Sequence, residues 1–216
     1  MSFSFKNNLR IFLILIFLLF LYVIICATSY TNAVCSNISE NIFRLHVIAN
    51  SNSTDDQNLK YIVRDSVLSY INTTTKESTS KEEIINIVNN NLSQIEEIAQ
   101  NTIYNNGYNY DVELSVGTFP FPTKTYGSIS LPSGFYDALQ IEIGEAKGEN
   151  WWCVMFPPLC FIDVSSGIVP EESKEIMKEN LSTEEYSLIS STNNESKIKF
   201  KIVEVLQNLS INGIFM

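Results

Sequence analysis

FRLHVIANSNSTDDQNLKYIVRDSVL, residues 43–68, joins a strand, a polar turn and the start of a helix in one short unit. Phe43, Leu45 and Val47 alternate with Arg44, His46 and Ile48, the period of a half-buried strand. The strand ends at Asn50, where Ser51, Asn52, Ser53 and Thr54 supply turn chemistry. Asp55 or Asp56 then caps a helix whose apolar side is Leu59, Ile62, Val63, Val67 and Ile71. That reading leaves Lys60, Arg64 and Asp65 pointing outward.

Downstream, Ser80 with Glu83 forms a capping box for a second helix, with Ile84, Ile87, Val88, Leu92, Ile95, Ile98, Ala99 and Ile103 along one face. Asn105-Asn106-Gly107 stops it. Tyr108 to Val116 alternates cleanly as a strand, and Phe119-Pro120-Phe121-Pro122 breaks it. Tyr126 to Ile129, Asp137 to Ile143 and Trp152 to Phe156 read as further strands. A helix follows around Glu171 to Leu181, and the stretch from Ile198 to Leu209 fits either helix or strand. The order predicts an α+β single domain, a mainly antiparallel sheet with flanking helices.

Upstream, Lys6 and Arg10 precede an apolar run from Ile11 to Ile25, and no acidic residue occurs before Glu40. With Cys26 and Ala27 added, the run falls between a signal-peptide core of roughly 7–15 residues and a membrane span of roughly 20. Residues 1–33 are therefore read as a signal peptide or membrane anchor, with Thr31-Asn32-Ala33 or Ala27-Thr28-Ser29 as cleavage sites. Residues 34–216 are read as an extracytoplasmic domain that touches the membrane only through that N-terminal segment.

The chain has 14 Lys and Arg against 24 Asp and Glu, a net charge of −10. Two of those cations, Lys6 and Arg10, lie in the leader. An exported part this acidic lacks the clustered cations that grip phosphates, which argues against a nucleic-acid partner. With His46 as the single histidine, a multi-histidine metal site is ruled out, and no phosphate-cradling glycine loop is present, so no metal or other cofactor is expected.

A second distinctive string is GENWWCVMFPPLCFIDVSSG, residues 148–167. Cys153 and Cys160 flank a segment that turns through Pro157-Pro158, so a disulfide between them is expected outside the cytoplasm. One enzymatic alternative survives: a thiol hydrolase with Cys153 as nucleophile, His46 as base, and Asn50 or Asp163 as orienter. A disulfide would remove the thiolate that this chemistry needs. Trp151 and Trp152 face opposite ways in an extended strand, leaving one of them available as an anchor for a partner.

Together the two strings resemble the signature regions of the stage II sporulation protein R family, through the Arg44-Leu45-His46 strand, the Ala49-Asn50-Ser51 turn, the Asp56-Gln57 helix start and the Trp152-Cys153…Pro157-Pro158-Leu159-Cys160 segment. The resemblance implies a secreted, non-enzymatic sporulation signal of an endospore-forming bacterium. Such a signal is exported into the space between forespore and mother cell, where it activates a membrane-embedded aspartic protease that processes a mother-cell sigma-factor precursor. The surface expected to meet that protease comprises the turn with Asn50, Asp55 and Asp56, the outward residues His46 and Arg64, and the loop carrying Trp152, Phe156 and Leu159.

Overall fold

A computed structural model of the chain describes residues 2–76, 78–160 and 169–190. Helix α1 runs over Ser2–Glu40 and leads directly into β1, Phe43–Ile48. Next come α2 (Thr54–Thr74), α3 (Lys81–Asn90) and α4 (Leu92–Asn105). The strands β2 (Val112–Phe121), β3 (Lys124–Tyr126), β4 (Ile129–Leu131), β5 (Gly134–Ile143) and β6 (Asn150–Phe156) follow, and then α5 (Glu171–Asn180) and α6 (Thr183–Ser190). The fold is α+β. A four-stranded sheet has the order β2-β5-β1-β6, in which β1 runs parallel to β5 and the other neighbours are antiparallel. Strands β3 and β4 form a separate two-stranded hairpin.

The first strand is central, and every one of its residues is buried. Phe43, Leu45 and Val47 pack against Leu59, Val63 and Val67 of α2 and Ile95, Ala99 and Ile103 of α4. Across the sheet, Ile38 and Ile42 at the end of α1 join Ile129 and Leu131 of the hairpin with Met177 and Ile189 of the last two helices in a second apolar cluster. Alternation implied a strand with one solvent face. The structure corrects this, because Tyr126 of the hairpin with Phe121, Tyr136 and Trp152 covers the face that carries Arg44 and His46.

Three local expectations also change. Ser53, not Asp55 or Asp56, caps α2, its hydroxyl accepting from the Asp56 N–H at 3.1 Å. Lys60 is turned inward and 1% exposed, whereas Ile62 is 41% exposed, so the buried stripe of α2 is Leu59, Lys60, Val63 and Val67. The single long second helix is two, since Asn91 folds its side-chain amide back on the Ile87 carbonyl at 2.8 Å and splits the segment into α3 and α4.

Strand β2 starts later than its alternation suggests and continues through Pro120. Gln100 of α4 clamps its start, donating to the Tyr110 carbonyl and accepting from the Val112 N–H. Pro120 is tolerated because β2 is an edge strand, so a missing N–H on the outer side breaks no ladder bond. The stretch expected as one strand over Tyr126 to Ile129 is the turn of the β3–β4 hairpin, with Gly127 at φ 55°. The segment from Ile198 to Leu209 lies outside the described residues.

Lys81 joins three elements. Its ammonium donates to the Ser39 and Glu40 carbonyls at the end of α1 and pairs with Asp137 of β5 at 2.8 Å. A cation placed on the exposed carbonyls of a helix end favours both the hydrogen bonds and the helix dipole. The inward stripe of α2 makes a direct prediction. Leu59→Ala should cost about 2–5 kcal/mol, while Ile62→Ala should stay within about 1 kcal/mol, as read by the shift in chemical denaturation midpoint.

Candidate functional site

The turn after β1 is held by Asp56. Its carboxylate accepts from Asn50 Nδ2 at 2.9 Å and from the Ser51 hydroxyl at 2.5 Å. Asn50 Oδ1 in turn accepts from the Glu145 N–H at 2.9 Å, and the Ala49 carbonyl from the Gly148 N–H at 2.8 Å. Gln57 reaches back to the Ser51 carbonyl. One carboxylate therefore ties the end of β1, the start of α2 and the β5–β6 turn into a single knot. Burial opposes ionisation of Asp56, but hydrogen bonds from Ser51, Asn50, Tyr110 and Ser53 outweigh it and hold the carboxyl below its ordinary value.

Two glycines let that turn come close. A Cβ on Gly144, at φ 58°, would sit 2.3 Å from Asn50 Oδ1, and one on Gly148 would sit 2.3 Å from the Ser51 carbonyl oxygen. The second is the harder clash, because a backbone atom cannot rotate away.

Behind the turn lies a buried polar layer on the hairpin face of β1. Arg44 is fully buried, donates from Nη2 to the Tyr126 hydroxyl at 2.8 Å, and lies 4.2 Å and 4.7 Å from the ring centroids of Phe121 and Tyr136. Its Nε and Nη1 have no partner, and no carboxylate pairs with it among the described residues. Aromatic faces take the place of an anion, worth about 2 kcal/mol for a desolvated cation.

His46 is 6% exposed and stacks on Trp152 with centroids 3.8 Å apart. Gln140 Nε2 lies 3.2 Å from Nδ1 and Asn150 Oδ1 lies 2.7 Å from Nε2. An amide donor on one nitrogen and an amide oxygen on the other select the neutral tautomer with its proton on Nε2. Burial lowers the imidazole below its ordinary value, the Asn150 bond opposes this, and the charge of Arg44 adds to the lowering.

The residues named from the sequence as a recognition surface therefore separate. Asp55 is exposed, and Asn50, Arg64 and Trp152 are half-buried. His46, Asp56, Phe156 and Leu159 are buried, which corrects their placement as outward groups. Phe156 and Leu159 were assigned to an exposed loop, but β6 extends through Phe156 and both side chains enter the core. Neither tryptophan stands free. Trp151 meets Tyr61 and Arg64 on the helix side while Trp152 meets His46 and Phe121 on the other.

The thiol-hydrolase constellation is not assembled. Cys153 lies opposite Leu45 on the helix face, His46 lies opposite Trp152 on the hairpin face, and Cys153 is joined to Cys160 with Cα atoms 5.4 Å apart. Asn50 is spent on Asp56 and Glu145, and Asp163 lies outside the described residues. Among the described residues no group of three or more His, Cys, Asp and Glu is placed to hold a metal ion. Reading the sequence missed the cage residues Phe121, Tyr126 and Tyr136 and the close approach at Gly148. Gly148 beside the Trp151-Trp152 strand was the available sign.

The described residues form an α+β domain led by one long apolar helix that fits a signal or anchor segment, with a polar cluster that ties its own chain. The chain belongs to the stage II sporulation protein R family, whose model matches residues 39–166. It is 41% identical over 143 residues to the stage II sporulation protein R of Bacillus subtilis (strain 168), a match covering 65% of this chain and 64% of that relative. The chain thus spans slightly less than two thirds of the relative's length. No solved structure matches. The matched region contains the Asp56 knot, the Arg44 cage and β6.

Two measurements test the knot and the layer. Gly148→Ala should destabilise by about 2 kcal/mol or more in denaturant titration. For pH the sign is as follows. The unfolded chain protonates its histidine near about 6.5 while folded His46 resists, so stability is full above that pH and declines as pH falls towards the lower folded value. Asp56 adds stability that is complete above the ordinary carboxylate range near about 3.9 and is lost as pH falls through its lower folded value. His46→Gln should flatten the slope below about pH 6.5, and Asp56→Asn the slope below about pH 4, in midpoints measured across pH.

Proposed function

We propose that this chain is an exported sporulation signal that acts by contact, switching on a membrane-embedded aspartic protease which processes a mother-cell sigma-factor precursor. Membership of the stage II sporulation protein R family carries this reading. Two structural features support a contact role. The sulfur and imidazole that chemistry would need are on opposite faces of the sheet, and the helix α1 contains an apolar stretch with the length and composition of a signal or anchor segment. On this reading residues 1–33 deliver the domain that follows to the space between forespore and mother cell.

The test is complementation. In sporulating Bacillus subtilis lacking its own stage II sporulation protein R, the full chain should restore the processed sigma factor on an immunoblot. If the chain is exported and folded but only precursor is seen, the proposal fails. Cys153→Ser combined with Cys160→Ser should lower stability by about 2 kcal/mol, the low end for so short a loop, and leave processing per exported molecule within about twofold. Loss of processing from a folded, exported Cys153→Ser protein would instead favour thiol chemistry.

A further inference from the structure

The four-stranded sheet has two edges, and they are finished differently. At β6 the outward carbonyls are taken, that of Trp152 by the Tyr126 hydroxyl at 3.1 Å and that of Val154 by the Leu159 and Cys160 N–H groups at 3.1 Å. At β2 the ladder itself shows which groups face out. The Asp111 carbonyl points inward, accepting from the Gly144 N–H at 2.8 Å, and β2 then pairs with β5 from Val112 to Phe121 without a shift in register. Backbone groups of successive strand residues point to opposite sides, so Val112, Leu114, Val116, Thr118 and Pro120 face away from β5.

Both ends of that outer row are closed. Gln100 of α4 takes the Tyr110 carbonyl and the Val112 N–H as a neighbouring strand would, and Pro120 has no N–H to offer. Between them the outward N–H and carbonyl groups of Leu114, Val116 and Thr118 meet no protein partner among the described residues. Edge strands that stay alone are guarded by charges, bulges or prolines. The window 114–118 has none of these, and no acidic or basic residue occurs from Leu114 to Thr123.

We infer that this window pairs with the same window of a second copy of the chain, antiparallel about a two-fold axis at Val116. The register follows from the free groups. Centring on Val116 sets Val116 against itself and Leu114 against Thr118, so each residue exchanges both of its backbone bonds, about six in all. Centring on Ser115 sets Thr118 against Val112, whose N–H already serves Gln100, and centring on Gly117 sets Leu114 against Pro120. Side chains agree with the Val116 centre. Leu114 and Val116, packed against the main core, meet Thr118 and Val116 of the other copy on the helix face. On the opposite face Ser115 meets Gly117 and Glu113 meets Phe119, so in a chain of net charge −10 no acid faces an acid across the seam. The pairing depends on no part of the sporulation reading.

A backbone seam of this length is small beside the roughly 1,200–2,000 Å² of a standard stable interface, so it is reversible and is read by trapping. The full chain in detergent micelles carries Cys26→Ser and Cys35→Ser, which removes the free thiols and leaves the Cys153–Cys160 bond. Single cysteines are then introduced. Paired residues in this register have Cα atoms about 5.5 Å apart, within disulfide range, whereas the two copies of residue 118 lie about 13 Å apart. Under copper–phenanthroline oxidation Val116→Cys should give a reducible dimer on a gel. Leu114→Cys and Thr118→Cys should each give at least tenfold less alone, and a mixture of the two should give the dimer. Val116→Lys, which sets two ammonium groups face to face, and Thr118→Pro, which removes an outward donor as Pro120 does, should lower the light-scattering mass from dimer to monomer with the fold intact by circular dichroism. Failure of Val116→Cys to link, or equal linking by Thr118→Cys, overturns the inference. So does a dimer that both Val116→Lys and Thr118→Pro leave intact, which α1 would be holding. A monomer whose Leu114 and Val116 amides resist hydrogen exchange overturns it too, because another part of the same chain then covers the edge.

Discussion

Everything in this fold depends on a central strand that is buried on both faces yet polar on one. Phe43, Leu45 and Val47 satisfy the helix layer in the ordinary way. Arg44 and His46 point into the other layer, where water cannot reach them, and each needs a substitute for hydration. Strands β2, β5 and β6 and the β3–β4 hairpin provide it. Phe121 and Tyr136 give π faces, Tyr126 gives a hydroxyl, and Gln140 and Asn150 give amides of opposite polarity to the two imidazole nitrogens. The small hairpin, whose own pairing is only three residues long, brings the Tyr126 hydroxyl to Arg44.

That arrangement also explains why the ionisable groups that first suggest chemistry do structural work. A catalytic histidine needs a mobile proton and a reacting neighbour. His46 has an amide on each nitrogen and an indole on its face, which fixes one tautomer. Asp56 has its oxygens filled by the turn that it organises.

Reading the sequence located most elements because their signals are local. The Ser80 capping box, the alternation in β5 and the apolar stripe of α4 need no knowledge of the rest of the chain. Readings failed where a distant element decided the outcome. Lys60 looks outward on a helical wheel, and its inward ammonium is met by Gln57 on the same helix and by the Glu149 carbonyl, brought from the β5–β6 turn. His46 looks like a surface residue until Phe121 of β2 and Trp152 of β6, both far along the chain, cover it. Asp55 and Asp56 both look like caps on local grounds, but the Asp56 carboxylate is engaged by Asn50 and Ser51 and its N–H is taken by the Ser53 hydroxyl. The site suffered more than the fold for this reason, since its chemistry is made almost entirely of contacts between elements far apart in sequence.

The seating of α1 has a mechanical meaning. Its last turns are part of the folded body: Ile38 lies in the second apolar cluster with Ile42 just beyond, and Lys81 closes the carbonyls of Ser39 and Glu40. The apolar segment and the domain are thus joined by continuous helix with no intervening tether, like a lamp fixed to a post instead of hung from a cord. A cut upstream of Val34 would shorten the post and leave its foot embedded in the lamp. While the post remains whole, rotation at its lower end turns the domain through the same angle.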